Sequence, residues 1–193
     1  MFDKLELRLS GSGGQGVILA AIILADAAIE QGINAIQTQS YGPEARGGAS
    51  KAEVIISKNE INFPKVVTPN ILLCLTQSSY DKYVATLNKN GILIVDENVN
   101  VNLNVDYKIY KLPILDTAQS KLGTHMVANI ISVGAVYALI GEDVISKEIM
   151  VNSISHRVPP VTVSKNIDAF EEGIKLIKGW FYEQQWFNQL NKQ

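Results

Sequence analysis

With 193 residues the chain is long enough for one α/β domain with a full core and too short for two comfortable ones. Its net charge of −2, without basic runs or interleaved aromatics, excludes a nucleic-acid footprint. A single cysteine, Cys74, excludes internal disulfides and an iron–sulfur cluster held by this chain alone, and the 47% of apolar residues is greasy for a free monomer, which implies a partner over part of the surface.

Residues 5–9 alternate apolar and polar at the strand period, and residues 17–31 form an unbroken helix-compatible run closed by Gly32. Between them, Gly11-Ser12-Gly13-Gly14-Gln15-Gly16 places four glycines in six residues, the make-up of a strand-to-helix turn. Glycines there admit positive φ and close approach of another group, while the first N–H groups of the helix point outward unpaired, the usual setting for a phosphate. The spacing Gly11-x-Gly13-x-x-Gly16 fits a dinucleotide fingerprint, which also asks for a ribose-binding acid about 20 residues on. That acid is missing: the second strand, residues 35–39, runs into Ser40-Tyr41-Gly42, and the first carboxylate is Glu44. A P-loop is excluded because no Lys-Ser or Lys-Thr follows Gly16. The same glycines suit a tight turn that only lets the helix sit close on the sheet, so the spacing leaves both readings open.

The first helix is apolar nearly all round until Asp26, the pattern of a helix buried on more than one side by its own domain or by a partner. Its longest apolar run, residues 17–25, is short of the ~20 residues of a membrane span. The opening Met1-Phe2-Asp3-Lys4-Leu5 lacks a signal pattern, so a cytoplasmic protein without a membrane span is expected. Next comes Ser40-Tyr41-Gly42-Pro43-Glu44-Ala45-Arg46-Gly47-Gly48, a loop that would emerge beside the first glycine turn if both follow neighbouring strands.

Residues 49–57 alternate around Ala52, Val54 and Ile56, and a turn at Lys58-Asn59-Glu60 into Ile61-Asn62-Phe63 predicts a hairpin. A fully apolar strand at 71–75 with Cys74 as a small buried hydrophobe, a helix capped by Ser78 or Ser79 and running to about Asn88, and a strand at 92–96 make a βαβ unit. Asp96 ends that strand as a ligand contact or as a cap. An asparagine-rich loop at 98–106 precedes a last strand at 107–112, and the remainder is helical: 125–140 stopped by Gly141, a helix capped by Ser146 to about Ser155, and one opened by Ser164 or Asn166 to about Lys178. Residues 1–179 are expected as a single domain and 180–193 as an aromatic tail, packed on that domain or on a partner. His125 and His156 lack the company of a metal site or triad, and no catalytic constellation emerges. The fold class expected is α/β: a three-layer α/β/α, Rossmann-like domain with a mostly parallel mixed sheet and a helical C-terminal part.

Two motifs together carry a resemblance: Gly11-Ser12-Gly13-Gly14-Gln15-Gly16 heading an apolar helix, and Tyr41-Gly42-Pro43-Glu44-Ala45-Arg46-Gly47-Gly48 before an alternating strand. The pair resembles the gamma subunit, or gamma domain, of the 2-oxoacid:ferredoxin (acceptor) oxidoreductases, with Ser57, Pro64, Gly123, Asn129 and Gly134 in further agreement. The resemblance implies an assembly that converts a 2-oxoacid and coenzyme A to acyl-CoA and CO2, and passes two electrons to ferredoxin or flavodoxin. The compact length is most similar to the separate gamma chain of a four-subunit 2-oxoglutarate enzyme, although pyruvate and branched-chain enzymes share both motifs. By the same resemblance, thiamine diphosphate, magnesium and iron–sulfur clusters belong to alpha, beta and delta partners, and the isolated chain is expected to be inactive, without catalytic residues or metal ligands of its own. The site residues implied are Gly11, Gly13, Gly14, Gln15, Gly16, Tyr41, Gly42, Glu44, Arg46, Gly47 and Gly48, holding either coenzyme A or neighbouring subunits. Two alternatives stay open beside it: a free-standing nucleotide- or coenzyme-binding module, and a purely structural subunit whose glycine loops pack on its partners.

Overall fold

A computed structural model describes residues 3–40, 49–102 and 107–190, with side chains as far as Phe181. Its six strands are β1 (Lys4–Ser12), β2 (Asn34–Gln39), β3 (Ala49–Ser57), β4 (Ile71–Cys74), β5 (Ile92–Asp96) and β6 (Lys108–Leu112). They form one sheet in the order β2-β3-β1-β4-β5-β6. The ladders β1–β4, β4–β5 and β5–β6 are parallel, whereas β3 runs antiparallel to both β1 and β2. The expected mixed, mostly parallel α/β sheet is what forms.

The pairing of β3 differs from the hairpin expected with residues 61–63, which adopt no strand. Both edges of β3 are already taken, by β1 from Lys4↔Ser57 to Ser12↔Ala49 and by β2 from Asn34↔Ser57 to Gln39↔Ala52. A three-residue stretch that runs into Pro64, which lacks a donor, cannot displace ladders of that length.

Alternation along β1 sends Leu7 and Leu9 to one face and Arg8 and Ser10 to the other. The first face carries the main core, over which lie α1 (Val17–Glu30), α3 (Ile114–Leu122), α4 (Ala128–Ile140), α5 (Lys147–Arg157) and α6 (Val163–Leu190). The second face holds a smaller core of Leu72, Cys74, Leu93 and Val95 under Tyr80 and Tyr83 of α2 (Gln77–Tyr83) and Leu87. The three-layer arrangement is therefore lopsided, five helices against one among the described residues. Most of the apolar girdle of α1 is covered by its own chain, Ile29 excepted: Ala20, Ala21, Ile23, Leu24, Ala27 and Ala28 are buried against the sheet, α4 and α5.

Several boundaries move for identifiable reasons. The cap of α2 is Thr76 rather than Ser78 or Ser79: its side chain accepts from the Ser79 N–H while the Ser79 hydroxyl accepts from the Thr76 N–H, a reciprocal box. Asp96 proves to be a cap and turn residue, its two oxygens accepting from the N–H of Leu115 at 2.9 Å, in the first turn of α3, and from Asn98. The last helix does not stop near Lys178 but continues to Leu190, and Trp180 packs its ring 4.4 Å from that of Tyr110. His125 and His156 are exposed and sit at helix ends. Among the described residues no helix is long and apolar enough to cross a membrane.

Cys74 is fully buried beside the Ser10 hydroxyl, which lies 3.4 Å from its sulfur, and burial pushes the thiol up to about 11. The thiolate is the reactive species. At pH 8 the native protein should therefore leave an aromatic disulfide reagent unconsumed and release one equivalent of colour only after denaturant is added. Rapid reaction of the native protein would show that the carboxyl end of β4 opens.

Candidate functional site at the carboxyl ends of the central strands

β1 ends in the first two residues of the glycine segment, Gly11 and Ser12, which still pair with Ser50 and Ala49 of β3. The chain then turns through Gly13 and Gly14, both exposed, into α1. The turn is braced from within: the Ser12 N–H donates to Gln15 Oε1 at 2.7 Å and the Gln15 N–H donates to the Ser12 carbonyl. A Cβ on Gly11 would lie 2.4 Å from that same Gln15 oxygen, so the glycine makes room for the brace. Gly14 and Gly16 have φ of +87° and +70°, a region that side-chain-bearing residues enter at a cost. A Cβ on Gly16 would in addition meet the Asn129 amide at 2.5 Å.

Gly16 is the N-cap of α1, which has no side-chain cap and no acidic residue in its first turn. The first turn of α4 arrives at the same place, again without a side-chain cap or an acid, and its Asn129 Nδ2 donates to the Gly16 carbonyl. That hydrogen bond fixes the amide orientation and leaves Asn129 Oδ1 buried without a partner. The N-terminus of α1 therefore stands here with unpaired N–H groups and partial positive charge, whereas α4 continues from a 3-10 turn at His125–Val127 in which the Ala128 N–H donates to the His125 carbonyl and the Thr124 hydroxyl accepts from the Met126 N–H. A groove of about 470 Å³ opens beside the two helices, with Leu19, Met126, Val127, Pro159 and Val161 for walls, Asn129 at its inner end and Lys165 on its lining.

The second motif residues Tyr41, Gly42, Glu44, Arg46, Gly47 and Gly48 lie outside the described residues. The flanking residues do not. Ala49 sits opposite Ser12, and the Ser40 N–H donates to the Lys51 carbonyl, so both ends of that loop leave the sheet at the end where the glycine turn stands. The convergence does not arise as expected, because β1 and β2 are not neighbours. It arises because β3, which the loop enters, is inserted between them.

Beneath this end lies a polar cluster that sequence reasoning passed over. Arg8, 4% exposed, donates to Glu53 Oε1 at 2.7 Å, to the Thr86 hydroxyl and to the Val66 carbonyl, and Lys51 donates to the same Glu53 oxygen at 2.8 Å. The Arg8 guanidinium lies 5.6 Å from the Tyr83 ring centroid, and the Tyr83 hydroxyl donates to the Ala49 carbonyl at 3.2 Å. The cluster thus ties the first residue after the second loop to the strand that carries the first. Its sequence signal is weak: a charged residue at an inward strand position is recognisable only once the register Arg8↔Glu53 is known.

Known proteins resemble the chain along nearly its whole length. The subunit KorC of 2-oxoglutarate synthase from Methanocaldococcus jannaschii is 46% identical over 177 residues, 90% of this chain and 94% of the relative. The gamma subunit of a keto/oxoacid ferredoxin oxidoreductase from Geobacter sulfurreducens superposes with a TM-score of 0.80 at 44% identity, covering 91% of this chain and 99% of that one. The same fold, at 19% identity and a TM-score of 0.80, spans 32% of a longer chain of the Magnetococcus marinus 2-oxoglutarate:ferredoxin oxidoreductase. Residues 6–176 match the pyruvate ferredoxin/flavodoxin oxidoreductase family, to which this protein belongs as a gamma-type chain.

Proposed function

We propose that the chain is the gamma subunit of a 2-oxoglutarate:ferredoxin or flavodoxin oxidoreductase, which converts 2-oxoglutarate and coenzyme A to succinyl-CoA and CO2. What carries this reading is the 46% identity across 94% of a 2-oxoglutarate synthase subunit. Alpha, beta and delta partners hold the thiamine diphosphate, magnesium and iron–sulfur clusters, since a chain with one cysteine cannot supply the several thiolates of a cluster by itself. Electrons then bypass this subunit.

Its own contribution is placed at the glycine turn, as a receptor for a phosphate group of coenzyme A. Unpaired N–H groups at the start of α1 supply donors, and its dipole favours an anion by about 1–2 kcal/mol in a partly buried setting. The adjoining groove suits an arm that is part apolar and part amide, whose N–H would give Asn129 Oδ1 the donor it lacks. An acid holding a ribose is not needed for this mode of binding. The competing reading, in which the turn packs on a neighbouring subunit, loses one of its supports because α1 is already covered by α4 and α5.

Gly14→Ala separates the two. No atom lies within 4 Å of the added Cβ, so its effect comes from the positive φ and from crowding of whatever sits on the turn. In the assembled enzyme it should raise the Michaelis constant for coenzyme A about tenfold, the kinetic equivalent of about 1.4 kcal/mol, with subunit association unchanged. Weakened association at an unchanged constant would assign the turn to a partner instead.

A further inference from the structure

The two edges of the sheet are finished differently. On β6, Lys108 and Lys111 put charge along the strand, and Lys108 lies over the rings of Tyr110, Trp180 and Phe181, so that edge is charged and flanked by α6. Such lysines are a common protection against edge-to-edge pairing. On β2, Asn-Ala-Ile-Gln-Thr-Gln, there is no charge and no proline, and the ladder to β3 runs without a bulge.

Backbone parity shows which groups face out. Because the Ser40 N–H donates to the Lys51 carbonyl, the even-numbered residues of β2 make the hydrogen-bonded pairs with β3. Ala35 and Gln37 therefore turn their N–H and C=O groups to the edge that no other described strand pairs with. A groove of about 420 Å³ follows that edge, walled by Ile29, Ile33, Ile36 and Ile61, and Ile29 is 57% exposed. Gln37 adds a further signal, since its Nε2 is enclosed and has no hydrogen-bond partner.

We infer that β2 is an interface for a second copy of this chain, joined by antiparallel β2–β2 pairing about a two-fold axis through Gln37. In that register the two Gln37 residues form a hydrogen-bonded pair with Cα atoms about 5.5 Å apart. A rotation of each amide lets Nε2 donate to the other copy's Oε1, which satisfies both orphan donors at once. Ile36 then faces Thr38, and the isoleucine groove of each copy is closed by the other. A strand without charge suits pairing with itself, because self-pairing sets every residue against its own kind or a near neighbour and any charge there would meet a like charge. A net charge of −2 per chain adds little long-range repulsion.

The test is sedimentation of the full chain at tens of micromolar. The wild-type protein should run at twice its 21.1 kDa mass. Gln37→Pro removes an outward N–H and leaves the β3 ladder intact, as proline is tolerated on that side of an edge strand; it should raise the dimer dissociation constant at least tenfold. Should that variant fail to fold, Gln37→Lys and Gln37→Glu decide: each alone should be monomeric, and an equimolar mixture should recover the dimer. A monomeric wild-type chain, a dimer that survives these substitutions, or a mixture that stays monomeric would each overturn the assignment.

Discussion

Gly134→Ala should destabilise the protein by about 3 kcal/mol, the upper end of what inserting a methyl group into a packed interior costs. At Gly134, α4 crosses α6 so closely that the added Cβ would stand 2.1 Å from the Phe170 carbonyl oxygen and 3.1 Å from the Cα of Gly173. The contact is reciprocal, since a Cβ on Gly173 would stand 2.0 Å from the Ile131 carbonyl oxygen. These are backbone atoms and cannot rotate aside. The helices must separate, and the separation propagates into Ile131, Ala135, Phe170 and Ile174, all in the core. For a domain of this size the midpoint of thermal unfolding should fall by about 6–12 °C. Gly179→Ala is the matched control, in α6 with no atom within 4 Å of the new methyl group, and it should be neutral or stabilising by up to about 1 kcal/mol. Equal effects of the two changes would show that the crossing relaxes without cost.

Glu53→Ala should cost about 3–5 kcal/mol, the range found when one member of a buried ion pair is removed and the other charge is stranded. Glu53 is 7% exposed and takes hydrogen bonds from both Arg8 and Lys51. Lys51 can swing to water, but Arg8 is held by Thr86 and the Val66 carbonyl and cannot. The double change Arg8→Met with Glu53→Leu should regain most of the loss, because apolar replacement of a whole buried pair is commonly neutral or stabilising. Denaturant titration of the wild type, Arg8→Met, Glu53→Leu and the double variant gives the coupling energy directly. Additive losses would mean that the two charges do not depend on each other.

The elements nearest the glycine turn could be read from the sequence because local signals agree there: alternation in β1, four glycines, then an apolar run with a terminal glycine. The βαβ unit from β4 to β5 was equally legible. What could not be read was pairing across distance. Residues 49–57 announce a strand, but nothing local says that Glu53 meets Arg8 rather than a partner beyond the turn at Lys58. The resemblance picked out Asn129 and Gly134 without a reason, and packing supplies one for each: the Asn129 amide holds the Gly16 carbonyl, and Gly134 admits the backbone of α6. α6 runs beyond its expected end near Lys178 because no proline follows and docking of Trp180 on Tyr110 favours continuation.

The central position of β1 also governs when the fold can close during synthesis. It leaves the ribosome before the other five strands of the sheet, yet its two neighbours are β3, which ends at Ser57, and β4, which ends at Cys74. Until then its apolar residues Leu7 and Leu9 and both of its hydrogen-bonding edges have no native cover, and α1 has no sheet on which to lie. At about 5–20 residues per second, the nascent chain spends several seconds in that condition. Slow translation before residue 74 would prolong it, so the opening third of the chain is the stretch for which a holding chaperone matters most.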